Sequence, residues 1–151
     1  MKGQVSLITL GVRDLKRAKA FYTALGWQDT AASQEAVAFL AGHHIVLGLY
    51  GRAALAEDAG IADQEGGFSG ITLAVNCPDR ESVDQLATEA VAAGGRLQKA
   101  PQEVFWGGYS GYVADPDGHL WEIAHNPFFP LDGTGKLTLE PLPQDASGDG
   151  A

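Results

Sequence analysis

The chain has 151 residues, 45% of them hydrophobic and 19% charged, with a formal net charge of −9. That length and balance suit one folded domain, or two small halves sharing a core, and argue against a disordered chain. An acid excess without a basic stripe makes nucleic acid an unfavourable partner, and no apolar run is long enough to span a membrane.

Met1-Lys2-Gly3-Gln4 leads directly into a strand-like run, so no signal peptide is expected and the cytoplasm is the expected compartment. Gln4 to Val12 reads as the first strand. Arg13-Asp14 opens a helix with Asp14 as N-cap. Leu15, Ala18, Phe21, Tyr22 and Leu25 recur at helical spacing as a buried stripe, and Gly26 ends it. Three strands are expected next, at Trp27 to Ala31, Ala36 to Leu40 and His44 to Tyr50, with Gly42 turning between the last two.

Arg52 to Gly67 breaks the pattern. It is rich in Ala, Gly and acids and reads as a surface linker with at most a helical turn. The order then restarts. Ser69 to Asn76 is a strand, Pro78-Asp79-Arg80-Glu81 opens a helix, and Val83, Leu86, Ala87, Ala90 and Val91 form its apolar stripe. Gly94-Gly95 stops that helix, and Arg96 to Ala100, Tyr109 to Ala114 and Leu120 to His125 follow as strands. Each half therefore reads strand, helix, three strands, a repeat of architecture rather than of residue identity.

Asp115-Pro116-Asp117-Gly118 is the sharpest local signal. Pro116 presets the first central position of a tight turn, Gly118 supplies positive φ, and Asp115 hydrogen-bonds its own backbone at the entry. On the outgoing strand Glu122 lies among Leu120, Trp121 and Ile123. A carboxylate there either faces solvent as an ordinary strand residue or lines a concave site.

Packing sets the expected architecture. Each half buries one helix stripe on one face of a mixed four-stranded sheet. The result is an α+β fold of two βαβββ modules forming a cupped mixed sheet around a shared groove, the natural ligand site. The expected division is a single domain over 1–127, with halves at about 4–51 and 69–127 and a linker at 52–68. Beyond it lies a tail, 128–151, whose Pro-, Gly- and Ser-containing end is expected to lack fixed structure. Lys136 to Glu140 is a short edge-strand candidate, and Phe128-Phe129-Pro130-Leu131 can strap against the body or a partner.

These features together resemble the vicinal oxygen chelate superfamily of glyoxalase, bleomycin-resistance and extradiol-dioxygenase proteins. The residues that carry the resemblance are Leu10-Gly11-Val12-Arg13-Asp14-Leu15 with Phe21-Tyr22 and Leu25-Gly26, and Tyr112 to Glu122 with its Asp-Pro-Asp-Gly turn. It spans about Val5 to Pro127. Such a fold hosts many reactions, so it implies a groove rather than one chemistry. The resemblance places a carboxylate metal ligand at Glu122 and so favours a pocket-facing Glu122. Its other ligand positions fall at Leu7, at about Gly70, and at Leu47 or Gly48, none of which has a coordinating side chain. No cofactor is therefore expected, although a divalent metal stays open through some other donor set.

His43, His44 and His119 are expected at turns, His125 on the face opposite Glu122, and Cys77 as a small packing residue. With Glu122 inward, Leu120 and Ala124 share its face while Trp121 and Ile123 pack behind under a helix. The groove residues expected to bind a ligand are Thr9, Tyr50, Thr72, Trp106, Ser110, Tyr112 and Glu122, where Trp106, beside Gly107-Gly108, either closes its ring over the ligand or is a surface aromatic covering the groove mouth between subunits. Glu122 is the catalytic residue if the protein is an enzyme. The expected function is small-molecule binding in the groove without a complete metal site. The alternative is a metal-dependent or acid-base lyase, isomerase or dioxygenase using Glu122. The expected partners are the ligand and a second copy in a homodimer, with no nucleic acid and no membrane.

Overall fold

Asp14 ends the first strand and starts the first helix: its backbone is extended and its carboxylate accepts the amide of Arg17 at 3.0 Å. Asp79 does the same in the second half, accepting from the Ser82 amide at 2.7 Å, so Pro78 lies just before the cap rather than inside the helix. Around these two caps the computed structural model, which describes residues 3–143, builds the same motif twice. The first half is β1 (Leu7–Val12), α1 (Leu15–Ala24), β2 (Gln28–Asp29), β3 (Val37–Ala41) and β4 (Val46–Gly51). After α2 (Arg52–Ala59), the second half is β5 (Leu73–Asn76), α3 (Arg80–Ala92), β6 (Arg96–Glu103), β7 (Tyr109–Ala114) and β8 (Leu120–His125). The sheets run β1-β4-β3-β2 and β5-β8-β7-β6, with the first strand of each half parallel to the last and the other pairs antiparallel. The fold is α+β, two βαβββ modules.

Several segments depart from the expected pattern. β2 shrinks to two residues because side chains replace the ladder beyond it: Thr30 Oγ1 donates to Phe39 O at 2.8 Å, and Ser33 Oγ accepts from the Phe39 amide at 2.8 Å. The 52–68 linker opens with α2, an Ala-rich run that ends where Gly60 takes φ 72°. Gly70, at φ 81°, delays the start of β5 to Leu73, so Thr72 lies outside the strand and is exposed. In the tail, Lys136 to Glu140 forms no strand. An isolated bridge pairs Leu131 with Leu137 instead, and the end from 144 onward lies outside the described residues.

Alternation puts Leu10 and Val12 of β1 against Ala18, Phe21 and Tyr22 of α1, with Leu40, Leu47 and Leu49 from β3 and β4 beneath them. The three leucines are fully buried, each contributing about 1.5–3 kcal/mol relative to exposure. In the second half Val83, Ala87 and Ala90 of α3 pack on Val113 and Ile123.

The two cores meet at α1. Tyr22 donates its hydroxyl to Asp115 Oδ2 at 2.6 Å and accepts from Trp121 Nε1 at 3.1 Å. The rings of Tyr22, Trp27 and Trp121 form a triangle with centroids 6.0–6.4 Å apart. An added Cβ on Gly95 would come within 3.1 Å of the Phe21 ring, so α1 reaches well into the second half. The β7–β8 turn is fastened to the same region: Asp117 Oδ1 accepts from the Arg13 amide at 2.9 Å, and His119 Nε2 lies 2.8 Å from Gly11 O as its donor. His119 is therefore a half-buried link between the halves and not a free hairpin tip. The first sheet sets its core-bearing face on α1 and the second on α3, with Trp121 reaching across to the first core, and the other face of each sheet is the open one.

Candidate functional site

The open face of the second sheet is built by the β7–β8 hairpin. In its turn Asp115 Oδ1 accepts from the amides of Asp117 at 2.9 Å and His119 at 2.8 Å, and Gly118 takes φ 91°. That tight turn sets a register in which Ala114 pairs with Leu120 and Tyr112 with Glu122. Directly paired residues point to the same face. Tyr112 Oη donates to Glu122 Oε2 at 2.6 Å, and both side chains are half-buried. The hydrogen bond to the carboxylate, reinforced by burial and by the negative charge, raises the Tyr112 pKa, so the phenol stays a donor. Ala74 of β5 pairs with Glu122 from the other side and offers no polar group. Trp121 and Ile123 pack on the opposite face, as expected from period two.

Ser110 is on the same face as Tyr112 but 93% of it is shielded, since its relative exposure is 7%. Trp106, in the β6–β7 loop, folds its ring over its own chain: an added Cβ on Gly108 would lie 1.8 Å from Trp106 Cζ3. Gly108 is thus required as space for that ring. Phe128 approaches the same loop, 3.4 Å from where a Cβ on Gly107 would sit. Tyr112, Ser110 and Glu122 belong to one face, with the Trp106 loop leading into β7.

Thr9 and Tyr50 belong to the other sheet. Thr9 pairs with Gly48 and Gly11 with Tyr50 in the parallel β1–β4 ladder, and a Cβ on Gly48 would lie 2.9 Å from Thr9 Oγ1 and 3.4 Å from Leu7 Cδ1. Leu7, Thr9, Gly48 and Tyr50 therefore share the open face of the first sheet, while Leu47 is fully buried in the core. Of the two positions on β4, Gly48 is the one that reaches the open face. The start of α2 covers its far end, with Arg52 Cα 3.3 Å from a Cβ built on Gly11. Among the described residues no side-chain hydrogen bond joins Thr9, Tyr50 or Thr72 to the Tyr112–Glu122 pair.

The donor set does not fit a divalent-metal centre. Glu122 has a carboxylate, but Leu7, Gly48 and Ala74 offer no ligand atom on their side chains, and Gly70 precedes β5. Among the described residues no three His, Cys, Asp or Glu side chains come together as ligands. His125 turns to the opposite face, its Nδ1 3.1 Å from Cys77 O, and His43 stacks edge-on against His44 at the β3–β4 turn. Burial pushes the Cys77 thiol pKa up, helped by the nearby Asp79 charge, which disfavours a nucleophilic thiolate. The Tyr112–Glu122 bond was readable in principle: a tight turn at Asp115–Gly118 fixes which residues of the hairpin stand opposite.

Two βαβββ halves, with one acid on the last strand of the second, define a glyoxalase-like class of fold. The chain belongs to the Glyoxalase/Bleomycin resistance protein/Dioxygenase superfamily, whose family model matches residues 4–123. It is similar to a glyoxalase-related enzyme from Fulvimarina pelagi at 37% identity and a TM-score of 0.82, over 92% of this chain and 99% of that one. A glyoxalase/bleomycin resistance protein/dioxygenase family enzyme from Burkholderia phytofirmans PsJN is 25% identical, with a TM-score of 0.70, over 80% of this chain and 96% of that one. A lactoylglutathione lyase from Agrobacterium tumefaciens shares the fold at 21% identity and a TM-score of 0.62, over 82% and 94% of the two chains. No curated protein matches the sequence significantly. Among the described residues no helix is long and apolar enough to cross a membrane.

Proposed function

We propose that the protein binds a small molecule on the open face that carries Glu122, without a complete metal centre, and that two copies join to finish the groove. The observation that carries this reading is the Tyr112–Glu122 hydrogen bond at 2.6 Å, which leaves the carboxylate on the open face of the β7–β8 pair. A carboxylate held by one donor keeps lone pairs free for another. With Leu120 and Ala124 beside it, the face suits a flat or apolar molecule that carries a cation or a hydrogen-bond donor.

Support for the second copy comes from the way the halves pack. α1 bridges the two cores through Tyr22, Trp27 and Trp121, while the two sheets stay separate, with no ladder joining β1 to β5 among the described residues. β1 and β5 are edge strands, and apolar residues lie exposed on or just before them: Val5, Leu7, Phe68 and Ile71 are 42–70% exposed. Such edges call for cover. A homodimer that sets the β1 edge of one copy beside the β5 edge of the other brings Thr9 and Tyr50 toward the partner's Glu122.

A second reading rests on the same pair. Tyr112 and Glu122 share a short hydrogen bond, the arrangement of a proton donor and acceptor, and acid-base lyase or isomerase chemistry would use it.

Three measurements separate the readings: metal analysis of the purified protein, a mass-spectrometric search for copurifying molecules, and titration of any molecule found. Binding is expected with less than stoichiometric metal, is weakened at least tenfold by Glu122→Gln, and occurs in a dimer. Stoichiometric metal lost together with Glu122→Ala would overturn it. Turnover of the copurified molecule, abolished by both Glu122→Gln and Tyr112→Phe, would favour the enzyme.

A further inference from the structure

A cavity of about 160 Å³ lies between the two halves, on the core side of both sheets and away from Glu122. α1 supplies Phe21 and Tyr22, α3 supplies Leu86 and Ala90, and the half-buried rings of Trp27 and Trp121 complete a hollow that stays partly open to solvent. Trp121 and Glu122 are neighbours on β8 but point to opposite faces, so the strand separates this cavity from the site described above.

We propose that this cavity is a second binding site, for a neutral single-ring aromatic molecule. Three observations support that chemistry. The first is size: the hollow's volume of about 160 Å³ is close to that of an apolar cavity of about 150 Å³ that accepts benzene. The second is polarity. No Asp, Glu, Lys, Arg or His lines the cavity, and the Tyr22 hydroxyl and Trp121 indole N–H are engaged with each other and with Asp115. An apolar ring gains by displacing water from such a wall, whereas a charged ligand would lose part of its hydration with no polar partner in return. The third is shape. Three aromatic rings at centroid spacings of 6.0–6.4 Å stand at 53–86° to one another, which offers both faces and edges to an inserted ring.

Toluene is the probe and benzoate its charged control, both added to the full-length protein. Toluene at saturation in water should raise the thermal midpoint by a few degrees, as a ligand of the folded state does, and benzoate should not. The indole N–H signals of Trp27 and Trp121 should move with toluene while that of Trp106 stays in place. Ala90→Leu, which fills the cavity, should abolish both responses. Leu86→Phe does so from a half-buried position should the first variant fold poorly. Glu122→Gln should leave both responses intact. Absence of a midpoint shift, a response confined to Trp106, or an undiminished response in both filled variants would overturn the proposal.

Discussion

Tyr112 Oη and Glu122 Oε2 stand 2.6 Å apart at directly opposed positions of β7 and β8. This bond raises the phenol's pKa most, burial adds to it, and the carboxylate's charge comes third. Replacing Glu122 with Gln removes the charge while keeping an acceptor. Tyr112 should then ionise at a lower pH than in the parent, moving back toward the ordinary value near ~10. Ring carbon shifts of labelled tyrosine, followed from pH 8 upward, read this directly. An unmoved titration would show that Glu122 is not what perturbs Tyr112.

Tyr22 tests the junction between the halves. Burial, and next the Asp115 carboxylate, hold its phenol proton well beyond the ordinary tyrosine range. A folded-state pKa above the unfolded one means that its contribution to stability is full below about pH 10 and is lost as pH rises past that point. Tyr22 should therefore ionise only together with unfolding, seen as a late step in absorbance at alkaline pH. Tyr22→Phe leaves a buried carboxylate oxygen and an indole N–H without their partner. That should cost about 2–3 kcal/mol, roughly 5–10 °C in the thermal midpoint.

Gly111 tests the strand register. A Cβ there would lie 2.6 Å from Lys99 O and 2.7 Å from Pro101 N, both backbone atoms of β6. Backbone cannot swing aside as a flexible side chain can. Gly111→Ala should destabilise the protein by about 1–3 kcal/mol, measured by urea unfolding, whereas Gly133→Ala, which meets open space, should change little.

Asp132 organises the tail's turn. Its carboxylate accepts from the Thr134 hydroxyl, the Thr134 amide and the Lys136 amide. These hold its pKa at about 2, the Thr134 hydroxyl contributing most. A depressed pKa gives stability that is present above the unfolded value near ~4 and is lost as pH falls through the folded one. The amide signals of Thr134 and Lys136 should hold steady at pH 4 and shift as pH approaches about 2. Asp132→Asn should remove that acid transition.

Much of the fold was legible because local chemistry and packing agree. Asp14 marks the first helix start by its capping carboxylate and the Pro78–Glu81 run marks the second, and the expected stripes of α1 and α3 supply the buried residues, except that Val91 is 43% exposed. The Asp115–Gly118 turn is set by Pro and Gly. What escaped are cases where a distant or unusual partner decides. β2 stops early because Thr30 and Ser33 reach across to Phe39. β6 runs to Glu103 through two register shifts, accommodating Pro101 on an edge strand. α2 wins over the breakers around it by alanine content. On the candidate site, Glu122 and Tyr112 were readable from turn and alternation. Thr72 was misplaced because Gly70 holds the chain out of the ladder. The junction through Tyr22, Trp27 and Trp121 was not readable, since nothing local in the sequence says which stripe residue faces the other half.

The anchoring of the β7–β8 turn has a practical corollary. Asp115, Asp117 and His119 all take partners from the segment Gly11–Tyr22. A fragment cut at the linker would inherit the acid on β8 without its footing, leaving Trp121 bare and a carboxylate stranded. The halves repeat each other in outline, yet neither is a spare part: expressed singly, the latter half should aggregate, and mixing it with the former should rescue it.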